Sequence, residues 1–576
     1  MAALHLTMNY GKELCSRAKT PSDEKPLNPI NPMAQISLQK TINLDALIRT
    51  AIPLLLAWCI STLALPSFLF AQTADLSFLL TTPERTSFQE TTRYDEANAF
   101  LEVAVSQHPM LHKTSFGYSN EGRSLPLVVF GDIADARPES VMQSGKLRVF
   151  VQGNIHAGEV CGKEALLMLI RSLASGEHAS WADSLVLIMA PIYNADGNEL
   201  VNLYNRPRQN GPFGGMGQRP NAEGLDLNRD HMKMKSPEAR SLIRFMNEYD
   251  PHVSVDLHTT NGTRHGYMLT YSPALNPNTD SSIDELLRNE LLPQVRQNVM
   301  EDTGWDTYYY GNLPFRRAEA GWYTFDHRPR FNNNYIGLRN RIPILSEAYA
   351  YATFEDRILV TLKFVEEIVN YASRNVSTLQ EVILQADKAT NPGLVQGLHF
   401  VPVMNSEATD IRMGAAEERV NPFSGSTILH RTDSTWFQSM PEFGAFSPTE
   451  TSSIPAAWVV SAEAAEIVGA ALSAHGVHYE TIKSATDRTV SSFTVDSTSV
   501  AERAFQQINE RVVFGTWDKK DLVLSPGSLL VSGNQPLARL AFYLLEPRSD
   551  DGLLNWAMLD KWIDAGASYP VMRIDP

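Results

Sequence analysis

Cysteine is scarce in this chain of 576 residues, with three in the whole sequence. Cys15 and Cys59 fall in the N-terminal segment, so Cys161 is alone in the remainder, and a fold held together by disulfides is excluded. Cys161 follows closely after a glutamate that is a candidate ligand. We interpret it as a small buried side chain at the start of a helix, not as a ligand or nucleophile.

Blocks of lysine and arginine are also missing. The chain has 49 Lys and Arg against 65 Asp and Glu, and its formal net charge is -16. An acidic balance without a basic cluster argues against nucleic acid as a partner. The 43% hydrophobic and 20% charged fractions are those of a globular protein. The length exceeds that of a single core, so two folded units plus extensions are expected.

One long apolar run stands out near the N-terminus, at residues 51–70. It follows Arg49 and is followed by small residues, which is the pattern of a signal peptide cleaved near Ala71. Twenty apolar residues also suffice for a membrane anchor, the alternative interpretation. Pro66 interrupts the run near its end and favours cleavage. Export without disulfides fits a bacterial periplasm or an extracellular location better than a eukaryotic secretory route.

The chain divides into three predicted parts. Residues 1–74 form a polar leader and the signal peptide or membrane anchor, residues 75–374 form a first folded domain, and residues 375–576 form a smaller second domain. A membrane is a partner of this protein only if the leader stays uncleaved.

Strand and helix signals alternate through the first domain. Strands are predicted at 125–130, 147–152, 185–192, 253–257 and 342–348, and helices at 163–174, 237–248, 281–300 and 354–371. This alternation is typical of an α/β domain with a mostly parallel sheet. Ligands then collect at the carboxyl ends of the strands, where His156, His258 and Glu347 all lie.

Two histidines and a glutamate have the spacing of a metal site. His156 and Glu159 are three residues apart, so one helical turn places both on the same face. His258 directly follows the strand predicted at 253–257. Two His and one carboxylate, with a fourth position left to water, is the ligand set of a catalytic zinc site. A single His-x-x-Glu pair is expected about once by chance in this chain, so the surrounding motifs decide its meaning.

Six short motifs follow one another in the order of a known family. They are GNIHAGE (153–159), APIYNADG (190–197), NRPRQ (205–209), GLDLNRD (224–230), VDLHT (255–259) and ILSEAY (344–349). Together they resemble the zinc carboxypeptidases related to carboxypeptidases A and B, the funnelins. The resemblance covers about half of the chain. It implies a mixed, mostly parallel eight-stranded sheet flanked by helices, one zinc ion per chain, and removal of residues from peptide C-termini.

The resemblance assigns the central roles residue by residue. His156, Glu159 and His258 would be the zinc ligands. Glu347 would be the general base and then the acid that protonates the leaving amine, which one carboxylate with a tuned pKa can do. The apolar neighbours of Glu347 argue against a surface carboxylate at a strand end.

The GLDLNRD motif supplies three further residues. Asp226 resembles the carboxylate that orients the first zinc histidine through its outer ring nitrogen. Asn228 and Arg229 resemble the pair that holds the terminal carboxylate of the substrate, for which the planar guanidinium is suited. In an extended segment Asp226 and Asn228 share a face. Asp256 shares a face with His258, and its role stays open between orienting that histidine and a structural one.

The family also has an arginine that stabilises the oxyanion of the transition state. Arg208 is the better match, and Arg206 is the close alternative.

A mobile tyrosine caps the bound substrate in the family. Tyr335 is our assignment, with Tyr323 and Tyr349 as alternatives, because the spacing from Tyr335 to Glu347 is shorter than usual. The asparagines at 332–334 predict a loop around it.

The second domain has mixed signals and no recognisable ligand cluster. Loops are predicted at 389–392 and 447–455, strands at 457–460, 490–495 and 522–531, and helices at 462–475 and 537–545. This pattern predicts a small α/β domain that serves as a lid, a docking surface or a substrate selector. His475 and His478 are interpreted as a solvated helix end, not as a metal pair.

Three functions follow from these observations. The first is an exported zinc metallocarboxypeptidase acting on peptides with a free C-terminal carboxylate. The second is a zinc amidohydrolase that uses the same site on peptidoglycan stem peptides or N-acyl amino acids. The third, a non-catalytic binding protein on this scaffold, is disfavoured because every catalytic role has a candidate residue.

Overall fold

The computed structural model describes residues 75–314, 317 and 319–576. The leader, with the signal peptide or anchor predicted at 51–70, lies outside these residues. Within the described ranges, no helix combines the length and the apolar character needed to cross a bilayer.

A mixed sheet organises residues 75–374. The strands of this region are β1 (Leu111–Tyr118), β2 (Ser124–Phe130), β3 (Leu147–Gly153), β4 (Leu185–Ala190), β5 (Val253–Thr259), β6 (Leu269–Ser272), β7 (Thr307–Tyr309), β8 (Trp322–Tyr323) and β9 (Ile342–Ala348). All except β8 form one eight-stranded sheet in the order β1-β2-β4-β3-β5-β9-β6-β7. Its centre, β4-β3-β5-β9, is parallel, as is the pair β6-β7, whereas the pairs β1-β2, β2-β4 and β9-β6 are antiparallel. The predicted mixed, mostly parallel sheet is therefore confirmed.

The central strands are apolar because helices cover both faces of the sheet. Every residue of β3, β4 and β5 is buried, as expected for parallel strands packed between two helical layers. Parallel neighbours end at the same edge of a sheet, so residues at the ends of β3, β5 and β9 are brought together.

The helices of this region are α1 (Thr82–Arg85), α2 (Tyr94–Ser106), α3 (Pro138–Gln143), α4 (Cys161–Ala174), α5 (Ala195–Glu199), α6 (Pro237–Tyr249), α7 (Ser281–Leu286), α8 (Leu292–Thr303), α9 (Asn332–Leu338) and α10 (Phe354–Arg374). Helix α6 begins as predicted, with the Ser236 side chain accepting a hydrogen bond from the Ala239 amide and proline at the first position. Cys161 is buried at the start of α4, as expected. The loop predicted at 332–334 is wrong, because these asparagines form the first turn of α9.

The region after residue 375 is rich in strands. It contains β10 (Val395–Val403), β11 (Ser406–Val420), β12 (Thr427–Phe443), β13 (Ala445–Ser453), β14 (Ala457–Val460), β15 (Glu480–Thr481), β16 (Thr486–Val500), β17 (Arg511–Leu524), β18 (Leu529–Ser532) and β19 (Val571–Ile574), with helices α11 (Val376–Ala389), α12 (Ala465–His475) and α13 (Ala538–Leu545). The loop predicted at 447–455 is wrong, since β13 occupies most of it. Pro448 is tolerated there because β13 pairs on one side only, with β10.

The two regions share elements of structure. Strand β8 from the first region pairs parallel with β12 from the second, through Trp322 with Glu442 and Tyr323 with Phe443. The described residues pack into one compact unit. The domain boundary at 374/375 stays a prediction.

Candidate active site

Three side chains converge where β3 and β5 end. His156 lies in the turn after β3, Glu159 closes that turn with a backbone hydrogen bond to His156, and His258 lies near the end of β5. The two histidine Nδ1 atoms are 3.2 Å apart, and each contacts one oxygen of Glu159, at 3.0 Å for His156 and 2.9 Å for His258. All three residues are buried, and their ligand atoms lie within 4.8 Å of one another. The predicted trio is thus brought together around one point.

The outer ring nitrogens are held by carboxylates. His156 Nε2 donates to Asp226 Oδ1 at 3.0 Å, and His258 Nε2 donates to Asp256 Oδ2 at 2.8 Å. Such bonds fix the ring orientation and leave each Nδ1 lone pair facing the shared point. Asp226 occupies the orienting position predicted for it. Asp256, whose role was open, makes the same contact to the second histidine.

The electrostatics of the trio favour positive charge at its centre. Burial raises the pKa of the Glu159 carboxyl, but Arg206 and His156 outweigh this and hold it well below its usual range. Burial lowers the pKa of His258, but Asp256 and Glu159 raise it well above its usual value. The same surroundings favour a divalent cation. Two imidazole nitrogens and one ionised carboxylate in a buried cluster are donors that suit zinc.

Glu347 faces the trio from the neighbouring strand. In the parallel pair of β5 and β9, Glu347 lies beside His258. It lines the same cavity, of about 140 Å³, as His156, Glu159 and His258. Burial, with the nearby charge of Glu159, raises the pKa of Glu347 to about 8. Its Oε2 has no hydrogen-bond partner among the described residues. A carboxyl group that titrates near neutral pH is suited to accept and release a proton.

Asn228 and Arg229 also line the cavity. They lie in a single 3₁₀ turn capped by Asp226, which accepts from the Asn228 amide at 2.9 Å, so the extended segment that we predicted is wrong. The Arg229 guanidinium lies 3.8 Å from the centre of the Phe331 ring. Burial lowers the pKa of Arg229 to about 10. No carboxylate of the described residues lies within 4.0 Å of Arg229, which leaves the guanidinium available to an anionic ligand.

The structure does not bring Arg208 into this cavity. Arg208 is exposed in an adjoining cleft, whereas Arg206 and Arg219 line the cavity. Arg206 contacts Glu159, and Arg219 donates from Nε to Asp226 at 2.9 Å. The backbone turns sharply at Arg206, which has a φ of 51°. The side chains of Arg206 and Arg208 therefore enter different spaces, the cavity and the adjoining cleft. Sequence reasoning missed Arg219, although it lies in the segment that leads into the GLDLNRD motif.

Tyr335 is also absent from the cavity. Helix α9 buries it completely, and its hydroxyl donates to His475 Nδ1 at 2.8 Å. His475 is therefore buried, and the solvated helix end that we predicted is wrong. Of the alternatives, Tyr323 lines the adjoining cleft and Tyr349 is buried. The tyrosine that does line the cavity is Tyr310, directly after β7, and the three consecutive tyrosines there were the missed signal.

Comparisons with known proteins point to the same family as the motifs. Residues 97–308 match the model of the zinc carboxypeptidase family, Peptidase_M14. This match includes the trio and ends before Glu347. Carboxypeptidase 2 of Trichophyton tonsurans is 25% identical over 490 residues, covering 81% of this chain and 82% of that protein. Carboxypeptidase 2 of Trichophyton rubrum is 24% identical over 510 residues, covering 84% and 86%. Carboxypeptidase A from Helicoverpa armigera aligns with 52% of this chain and 77% of its own, with 18% identity and a TM-score of 0.39.

The similarity to the two Trichophyton proteins is longer than the first region. Residues 1–374 make up less than two thirds of the chain, so an alignment that covers 81% of it must include part of residues 375–576. The family is zinc-dependent, and the buried trio is a cluster able to hold such an ion. Residues 97–308 therefore match the zinc carboxypeptidase family that the six motifs resemble, and the two Trichophyton proteins that are similar to most of the chain are carboxypeptidases.

Proposed function

We propose that this protein uses one zinc ion per chain to remove single residues from the C-termini of peptides that carry a free carboxylate. The observation that best supports this is the position of Arg229. Its guanidinium lines the cavity that holds the trio and Glu347, and no carboxylate of the described residues lies within 4.0 Å of it. A terminal carboxylate is a ligand of matching charge and shape.

The trio would hold the zinc ion through His156 Nδ1, Glu159 and His258 Nδ1. A zinc ion at that position polarises a carbonyl group and lowers the pKa of water. Asp226 and Asp256 keep both rings in the tautomer whose Nδ1 would be free to bind the ion.

Glu347 is the proton carrier in this proposal. Its free Oε2 accepts a proton from the attacking water, and the same group then delivers that proton to the nitrogen of the departing amino acid. A pKa of about 8 makes the protonated and ionised forms close in free energy at neutral pH. Arg206 and Arg219 supply positive charge on the cavity wall, where it stabilises the oxygen that becomes negative during attack.

The small size of the cavity favours cleavage at a chain end. It measures about 140 Å³ and has Phe325, Phe331 and Leu345 among its lining residues. Such a space admits one terminal residue, whereas an endopeptidase must let the chain pass on both sides of the cut. Asn228 lies next to Arg229 and offers its amide as a second donor to the carboxylate.

The direct test compares one peptide with a free C-terminus and the same peptide amidated, with product masses read by mass spectrometry. We expect loss of single C-terminal residues from the free acid, no reaction after zinc is removed by a chelator, and amide turnover about 10- to 100-fold slower. That range is the usual worth of a hydrogen bond to a charged group. Arg229→Ala should reduce the preference to near one, and Arg240→Ala, at an exposed arginine, should retain it.

Equal rates on both peptides would contradict the proposed clamp and favour an amidohydrolase that ignores the chain end. Hydrolysis of N-acyl amino acids without any action on peptides would favour the second candidate function, since those substrates also present a free carboxylate.

We also propose that the protein is exported. This rests on the apolar run at 51–70 and the small residues after it, which have the pattern of a cleaved leader.

A further inference from the structure

A second, larger cleft of about 830 Å³ lies next to the active-site cavity. Asn261, in the loop after β5, lines both spaces, so the cleft and the cavity are neighbours. Arg208 and Arg264 contribute exposed side chains to this cleft, which we call the arginine cleft. A peptide whose last residue occupied the cavity would have this space beside it.

The region after residue 375 builds one wall of the arginine cleft. Met413 of β11 and Leu429 of β12 line it. The Leu429 amide donates to the Arg208 carbonyl at 3.1 Å, and the Arg431 amide donates to the Tyr351 carbonyl at 2.8 Å. These backbone bonds fix the β11–β12 hairpin against the loops that carry the active site. The position of this wall is therefore fixed by hydrogen bonds of the main chain.

The charge of the arginine cleft is opposite to that of the protein. Arg208, Arg264 and Arg317 line it, and its described lining includes no Asp or Glu. Within the described parts of the chain, neither Arg208 nor Arg264 has a carboxylate within 4.0 Å. In a chain with a net charge of -16, a cleft lined by arginines without acids presents positive potential to whatever lies in it.

We infer that the arginine cleft holds the residues of the substrate on the N-terminal side of the cleaved bond and selects acidic side chains there. The inference rests on the proposed function, because it takes the cavity as the place of the terminal residue. Neutral peptides lack the charge contacts to Arg208 and Arg264, and basic peptides are repelled. The β11–β12 hairpin then acts as a selector wall for the catalytic region.

A pair of matched peptides tests this selection. The two share the same C-terminal residue and differ in having Glu or Gln at both the second and third positions from the end. Partly exposed charge pairs contribute a factor of about 1.5 to 5 each, so kcat/KM should favour the Glu peptide by about 2- to 25-fold. The preference should decrease as salt is added, because exposed charges are screened.

Variants of Arg208 and Arg264 test whether the preference for the Glu peptide arises in the arginine cleft. Arg208→Gln combined with Arg264→Gln should bring the Glu-to-Gln ratio close to one. Arg488→Gln makes the same change at an exposed arginine that does not line the cleft, and it should leave the ratio as it is in the parent protein. A ratio that is near one in the parent protein, or that survives the double variant, overturns the inference.

A binding measurement separates this inference from the proposed function. Fluorescence anisotropy of labelled Glu and Gln peptides on the Glu347→Gln variant reports affinity without turnover. Tighter binding of the Glu peptide, lost in the Arg208 and Arg264 variants, supports the arginine cleft even if the parent protein hydrolyses neither peptide, and then only the proposed function fails. Equal affinity for the two peptides overturns the inference even if both are hydrolysed.

Discussion

Two acidic residues, one in each region of this protein, have different surroundings. In the region 75–374, Glu347 lines the active-site cavity and has an oxygen without a partner among the described residues. In the region 375–576, Asp551 is fully buried, and it accepts from the Arg330 amide at 2.7 Å, from Arg330 Nε at 3.0 Å and from Trp556 Nε1 at 3.0 Å.

The difference suits Glu347 to a ligand and Asp551 to the fold. A buried polar atom without a partner costs free energy unless a ligand, ion or water completes it. The hydrogen bonds of Asp551 are all made within the protein. Because its partner Arg330 belongs to the first region, Asp551 joins the two regions. Glu347 is left to be completed by something that enters the cavity.

The strands of the two regions also differ in how much of their length is buried. Strands β3, β4 and β5 are buried throughout, whereas β12, β16 and β17 alternate or run exposed along much of their length. Strands buried on both faces supply a rigid platform, and hairpins that project from the second region can line a cleft beside it.

Loss of a zinc ligand is the largest effect that we expect, and it tests whether only the first region holds metal. His258→Ala removes one of three donors, so bound zinc should fall from one per chain to below detection, and activity should fall with it. Zinc content is measured by atomic absorption after dialysis. His475→Gln changes a buried histidine of the second region and should retain full zinc. Zinc retained in His258→Ala would show that the trio is not the site.

Exchange of the proton carrier should have the next largest effect. Glu347→Gln keeps the size of the side chain but cannot take up a proton, so turnover should fall by about 10²–10⁴-fold while zinc content and peptide affinity stay close to those of the parent protein. Glu355→Gln, at an exposed glutamate of α10, is the matched control. Loss of zinc in Glu347→Gln would mean that this residue is a ligand, and unchanged turnover would place the base elsewhere.

The third prediction concerns stability at the contact between the regions. His475 is buried and neutral, accepting from the Tyr335 hydroxyl and donating from Nε2 to the Met232 carbonyl at 3.1 Å. Burial lowers its pKa to about 3, and the positive charge of Arg339 acts in the same direction. The unfolded chain takes up the proton below about pH 6.5, so this residue stabilises the fold above that pH and loses its contribution as the pH falls toward 3.

Urea unfolding measures this loss. The free energy of unfolding of the parent protein should decrease, relative to His475→Gln, by up to about 1.4 kcal/mol for each pH unit between 6.5 and 5. His475→Gln is expected to be less stable at pH 7.5, because its hydrogen bonds differ, and the gap should narrow as the pH falls. A gap that is the same at pH 7.5 and pH 5 would mean that His475 is not held neutral by burial.

The elements predicted well from the sequence are those whose signal is local. The strand at Ile342–Ala348 has the predicted bounds, and the helix from Pro237 begins at the predicted cap. In both cases an apolar run or a capping pattern is set by neighbours in the chain. The long hairpins β11–β12 and β16–β17 were not predicted at this length, because strands exposed on much of their surface lack the apolar alternation that marks a strand.

The sequence by itself determined which residues have the chemistry of a metal site and in which family pattern they occur. His156, Glu159, His258 and Glu347 lie in short motifs at the ends of strands, and parallel strands bring such ends together in any fold of this class. The tertiary structure alone decided that Arg219 and Tyr310 line the cavity and that Tyr335 lies outside it. Loops and a short buried helix place these side chains, and their course depends on packing against distant parts of the chain, which no local pattern records.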